Sequence, residues 1–255
     1  ELMQRIVIGG WPDLLDAEED DAREWLQGYL RQIIEVDIPS FVGRRDPRTL
    51  ERVLASLGRF VAQSPATRSL ATDAGGERGP VPPGTIYNHL DALDRLRLLD
   101  DSAAWQPHMR SRTRLRTSPT RYFVDPSIGT AALGVTSQDL LDDLKAAGFH
   151  FEALAVRDLR IYAQALGGRV DTWRDAEGHE IDAVVSFPGR RWAAFEVKMS
   201  PLDVDAAAAN LVKFSERVDK RAHGEPAALV VITATGAAGQ RSDGVHVVPI
   251  TALAP

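Results

Sequence analysis

Residues 179–200 read HEIDAVVSFPGRRWAAFEVKMS, two apolar runs with the pattern of β-strands, and Asp182, Glu196 and Lys198 are set inside them. No other feature constrains the fold as strongly. A carboxylate or ammonium in a packed sheet costs free energy unless it is paired. Either these three side chains lie on solvated faces, or they converge on something that neutralises them. Glu196 and Lys198 are two residues apart and share one face of their strand, with Phe195 and Val197 on the other. The turn PGRR at 188–191 makes the strands antiparallel neighbours, which can bring Asp182 beside Glu196.

The surroundings extend this into a mixed α/β domain. Residues 137–166 read as one long or broken helix. Strands follow at 170–174, 180–187 and 192–199, then an alanine-rich helix at 205–222 and strands at 227–234 and 244–250. The order α-β-β-β-α-β-β implies a mixed sheet flanked by helices. Upstream, residues 21–38 carry Trp25, Leu26, Tyr29, Leu30, Ile33 and Ile34 at helical spacing, behind the acidic start EEDD. Helical patterns at 46–63, 67–75 and 85–99, then a hairpin from Leu98-Leu99 through Trp105 and back at 121–124, have the order of a winged helix-turn-helix. The expected division is a helical segment at 1–45, a winged helix at 46–128 and an α/β domain at 129–255.

Composition bounds the function classes. The chain is 44% hydrophobic and 26% charged, the balance of a globular protein and not of a disordered one. It has no apolar run of about 18 residues, so no membrane span is expected. The absence of cysteine excludes disulfides and thiolate metal sites and fits a cytoplasmic location. The net charge of −6 conceals an asymmetry: residues 1–37 carry ten acids against Arg5, Arg23 and Arg31, whereas residues 102–121 hold Arg110, Arg112, Arg114, Arg116 and Arg121 and no acid. That arginine run can follow a phosphate backbone or line a solvated hairpin. Tyr87 and Asn88, near the start of the predicted recognition helix, are residue types that touch bases or phosphates, although Asp91 and Asp94 nearby oppose DNA. A winged helix used only for protein contact is the competing reading.

The chemistry follows from the acids. Two carboxylates about 4 Å apart repel by roughly 4 kcal/mol at an effective dielectric near 20. Protonation or a divalent cation relieves that repulsion. Oxygen ligands without cysteine suit Mg²⁺ or Mn²⁺ better than zinc. A cation on Asp182 and Glu196 could activate water for phosphodiester hydrolysis, with Lys198 orienting that water or offsetting transition-state charge. Glu152 is the acid on an otherwise apolar helical surface formed by Phe149, Phe151, Leu154, Ala155 and Val156, and can add a further carboxylate. The bland alternative is a solvated cross-strand ion pair at a strand end.

Glutamate on a helix, aspartate on a strand and Glu196-Val197-Lys198 on the next strand resemble the PD-(D/E)XK nuclease superfamily, with Ile181-Asp182 standing for its Pro-Asp. More narrowly, GGWPDLL, YLRQIIEVDI, RTSPTRYFVDPSIGTAALG, HFEALAVRDL, WRDAEGHEIDAVV and FEVKMS resemble the C-terminal half of prokaryotic AAA-type ATPases bearing domain of unknown function 4143. The resemblance implies a nuclease-like domain with Glu152, Asp182, Glu196 and Lys198 in the active-site positions and His179 and Glu180 in support. It also implies an ATPase module before Glu1. This chain has no G-x-x-x-x-G-K-[ST] loop, so it is not expected to bind ATP itself. Two functions compete: a Mg²⁺- or Mn²⁺-dependent nuclease acting on DNA, and a catalytically silent module of the same fold for DNA or protein docking. A transcription regulator would need a basic recognition face that the sequence lacks.

Overall fold

A computed structural model describes residues 1–42, 46–105, 118–175 and 177–254. The chain divides into two compact units, Glu1–Asp101 with Thr120–Ala153, and Ser102–Pro119 with Leu154–Pro255. The class is mixed α/β, with a helical amino-terminal region and a six-stranded sheet, as the pattern implied.

The first unit is helical. Its elements are α1 (Leu2–Ile8), α2 (Glu19–Gln32), α3 (Ile38–Val42), α4 (Pro47–Arg59), α5 (Thr67–Gly75), α6 (Pro83–Arg95), α7 (Pro126–Leu133), α8 (Ser137–Asp142) and the start of α9 (Leu144–Ala165). Glu19, Asp20 and Asp21 occupy the first turn of α2, where carboxylates suit the helix dipole. The predicted helix over 21–38 is interrupted by a π-helical turn at Ile33–Asp37. Leu50, Val53, Leu54 and Leu57 of α4 pack with Leu70 of α5 and Ile86 and Leu93 of α6 in one buried cluster. Of the expected hairpin, the described residues show an antiparallel bridge from Leu99 to Phe123, with Asp100 N donating to Tyr122 O and Val124 N to Leu98 O, while residues 106–117 lie outside the described residues. Trp105 N donates to Thr172 O, and its indole buries in the core of the second unit.

Two of the first unit's segments, unassigned as elements from the pattern, are tied together. Asp125 caps α7, accepting Ser127 N and Oγ at 2.9 and 2.6 Å, and its other oxygen accepts Gly10 N at 3.0 Å. Trp11 Nε1 then donates to Ser127 Oγ at 2.9 Å. The Gly9-Gly10 turn after α1 is thereby fastened to the start of α7.

The second unit holds the sheet: β1 (Arg169–Arg174), β2 (Glu180–Phe187), β3 (Arg191–Lys198), β4 (Ala228–Thr233), β5 (Gly239–Gln240) and β6 (His246–Pro249), in the order β1-β2-β3-β4-β6-β5. The first three strands are antiparallel neighbours, whereas β3, β4 and β6 run parallel. The crossover from β3 to β4 is α10 (Val204–Arg217) followed by α11 (Lys220–His223). The predicted helix over 205–222 breaks here because Val218 is extended and Asp219 caps a new turn through Arg221 N and Ala222 N. Ala207, Ala208, Leu211 and Phe214 of α10 bury against Val184, Trp192, Ala194 and Val231. That face of the sheet carries the site at its rim. No described helix is long and apolar enough to cross a membrane.

Candidate active site

The register of β2 and β3 runs from Phe187 with Arg191 to Ala183 with Phe195 and then stops. Past that point the backbone ladder is replaced by side chains. Asp182 Oδ2 accepts the Val197 N–H at 2.8 Å, and Asn210 Nδ2, on α10, donates to the Glu180 carbonyl at 2.9 Å. The strands are thus held by polar side chains where the pleated pairing ends, a place at which buried backbone groups still require partners. This is also the edge formed by the carboxyl ends of parallel β3 and β4, the usual location of ligand sites in such sheets.

Lys198 Nζ lies 2.6 Å from Glu196 Oε2 and 3.2 Å from Asp182 Oδ2. Asn210 Nδ2 donates to the other Glu196 oxygen at 2.6 Å. The three expected side chains therefore converge, and the reading of a solvated surface pair does not hold: the Glu196 and Asp182 side chains are 4% and 9% exposed. Burial first, and then the charge of Asp182, push the Glu196 carboxyl up to about 8, against the opposing influence of Lys198 and Asn210. Burial pulls the Lys198 ammonium down, but Asp182 and Glu196 overcome it and raise the group well above its ordinary value. The cluster thus holds two close acids and one shared, tightly retained ammonium.

These residues fit a divalent cation. The ammonium occupies the space between two carboxylates that a harder cation would share, and the donors are all oxygens, as Mg²⁺ and Mn²⁺ prefer. Asp182 and Glu196 would hold it. Asn210 escaped the sequence reading. The available signal was a lone amide in AAAANLVKF, three residues after Ala207 and four before Phe214, on the stripe that faces the sheet.

Glu152 belongs to the first unit, where its Oε1 accepts the Tyr122 hydroxyl at 2.6 Å. Glu180 turns its carboxylate to Arg174 and lends only its carbonyl to Asn210. His179 lies in the β1–β2 turn with its Nδ1 2.8 Å from Asp175 Oδ2, and Arg217 Nη1 reaches the same oxygen at 2.6 Å. Partial burial would raise the Asp175 carboxyl, but hydrogen bonds from the His179 backbone and ring bring it down to about 2. Asp175, Glu177 and His179 offer ligand atoms within 4.8 Å of one another, and Arg217 already pairs with Asp175 there. Tyr87 and Asn88 are exposed on the first turns of α6, with Thr67 Oγ1 donating to the Tyr87 hydroxyl at 3.3 Å. Arg110, Arg112, Arg114 and Arg116 lie outside the described residues.

Comparison with known families divides the chain similarly. Residues 1–139 match domain of unknown function 8612, and residues 147–253 match domain of unknown function 4143. The second match covers the sheet and all three converging side chains. The first replaces the expectation that a single family spans nearly the whole chain. No curated protein and no solved structure matches.

Proposed function

The chain belongs to the family of domain of unknown function 8612 and carries domain of unknown function 4143 after it, and from that premise we propose that it is a Mg²⁺- or Mn²⁺-dependent nuclease that hydrolyses phosphodiesters, with DNA as its substrate. The observation that carries the reading is the single ammonium of Lys198 shared by the carboxylates of Asp182 and Glu196. Two acids and a lysine at the open end of a sheet match the needs of phosphodiester hydrolysis. When bound, a divalent cation there would lower the pKa of a coordinated water and offset charge on the phosphate.

The protein's own groups account for the rest. Asp182 and Glu196 supply the anionic oxygens. Asn210 fixes the Glu196 carboxylate by holding one oxygen, leaving the other directed at Lys198. Lys198 Nζ, an ammonium at physiological pH, donates to the attacking water or to a non-bridging phosphate oxygen and so balances negative charge as it develops. Tyr87, Asn88 and the arginines of 110–116 are the proposed nucleic-acid contacts. Glu152 is kept as a third acid, and the ATPase module of the resembling proteins as a partner of this activity.

The test is incubation of plasmid and linear DNA with the purified chain and Mg²⁺ or Mn²⁺, beside Glu196→Ala, Lys198→Ala and Glu152→Gln prepared identically. The proposal expects cutting by the wild-type chain and its loss in the first two variants. Equal cutting by all preparations signals contamination and defeats it. No cutting by any favours a docking module of the same fold.

A further inference from the structure

Thr233 closes β4 on the α10 face of the sheet and is 2% exposed. Its Oγ1 is buried with no hydrogen-bond partner. Its register partner on β3 is Lys198, and the preceding pair on the same face is Glu196 with Val231. Paired residues of neighbouring parallel strands point to the same face, so the unpartnered hydroxyl stands beside the stem of Lys198, on the side away from Asp182. A buried hydroxyl without a partner is costly and uncommon, and calls for an explanation in each case. β-propensity alone does not supply one, because valine has the same shape without the unsatisfied group.

The explanation lies in where Lys198 must go. Its ammonium now donates to the two carboxylates proposed to bind a divalent cation. With those oxygens committed to a cation, the ammonium is repelled from between them and needs another acceptor within reach of its flexible stem. We infer that Thr233 is a positioning residue of this site: its hydroxyl accepts the Lys198 ammonium in the cation-loaded state and holds it at the rim of the site. The inference rests on the nuclease reading for the cation, but names a residue that reading does not require.

The experiment is calorimetric titration of the full chain with Mn²⁺ in the absence of DNA, for wild type, Thr233→Val and Thr233→Ser. Thr233→Val preserves shape and removes only the hydroxyl. Its melting temperature should equal or exceed that of wild type, while its Mn²⁺ affinity falls about tenfold, the scale on which supporting partners of metal ligands act. Thr233→Ser should restore the affinity, which a purely structural role for the methyl group would not predict. Should Thr233→Val fold poorly, Thr233→Ala removes the same hydroxyl and is read in the same way. Wild type and hydroxyl-free variants binding Mn²⁺ equally would overturn the assignment of Thr233 alone. A wild-type chain that binds no Mn²⁺ would overturn the cation reading beneath it.

Discussion

Asp182 Oδ2 accepts the backbone N–H of Val197 at 2.8 Å, just beyond the last residue pair that joins β2 to β3. The same oxygen lies 3.2 Å from Lys198 Nζ. One carboxylate therefore both ends a sheet ladder and shares the cation of the site, so its structural and electrostatic roles can be separated by substitution.

Asp182→Asn keeps an acceptor for Val197 and removes the charge. Its stability should stay near that of wild type, while Glu196, freed of a negative neighbour, titrates below about 8. Asp182→Ala also strands the Val197 N–H and should lose about 1–3 kcal/mol. Carboxyl ¹³C titration and urea unfolding of the two variants check this. Equal unfolding midpoints for Asn and Ala would show that the ladder contact carries no weight.

Lys198→Met retains the stem and deletes the charge. The folded-state pKa of Lys198 is raised, so its favourable contribution is fully present below the unfolded value of 10.5 and is lost only at higher pH. Between pH 6 and 9 the variant should be less stable by about 1–3 kcal/mol, because Asp182 and Glu196 lose their shared cation. The deficit should grow toward pH 9 as Glu196 is forced to ionise. A deficit independent of pH would contradict the coupling.

Two buried groups tilt stability with pH in opposite senses. His150 is 2% exposed and burial lowers it from 6.5 to about 4, so between these values the unfolded chain binds more protons and stability falls as the pH is lowered. The full loss is about 3 kcal/mol. Glu196 is raised from 4.5 to about 8, so over that window the folded chain binds more protons and stability falls as the pH rises. Only the Glu196 effect remains between pH 6.5 and 8. Chemical denaturation across pH should show Glu196→Gln removing the decline above 6.5 and His150→Leu removing the decline toward acid.

Gly9 adopts φ +82, and a Cβ there would stand 2.4 Å from Ser127 Oγ and 2.6 Å from Asp125 Oδ1. Gly9→Ala combines left-handed strain with a clash against the α7 cap and should cost on the order of 2–4 kcal/mol. Because Trp11 Nε1 bonds to Ser127, the change should also shift tryptophan emission. Gly134→Ala, at φ +70 with open space around the added carbon, should cost less. Matched melting temperatures would refute the clash.

Periodic elements were legible because burial writes its period directly into the residue order. β2 appears at Glu180–Phe187 as the alternation in EIDAVVSF predicts, and α5 at Thr67–Gly75. Elements without such a period were not. α7 is called by the Asp125 cap, and β5 is two residues held only by pairing with β6. The same division runs through the site. Glu196 and Lys198 share a strand face by parity alone, whereas Asn210 reaches Glu196 only once α10 has crossed back over the sheet.

What the residue order determined, then, is which side chains are costly to bury: Asp182, Glu196 and Lys198 stand in apolar strands, and desolvation obliges them to seek partners. Which partners they find was decided by the tertiary structure. The ladder between β2 and β3 stops at Ala183, α10 presents Asn210 at that opening, and β4 sets Thr233 in register with Lys198. Contacts between residues 14 to 35 positions apart depend on strand order and helix crossing, and local periodicity carries no information about either.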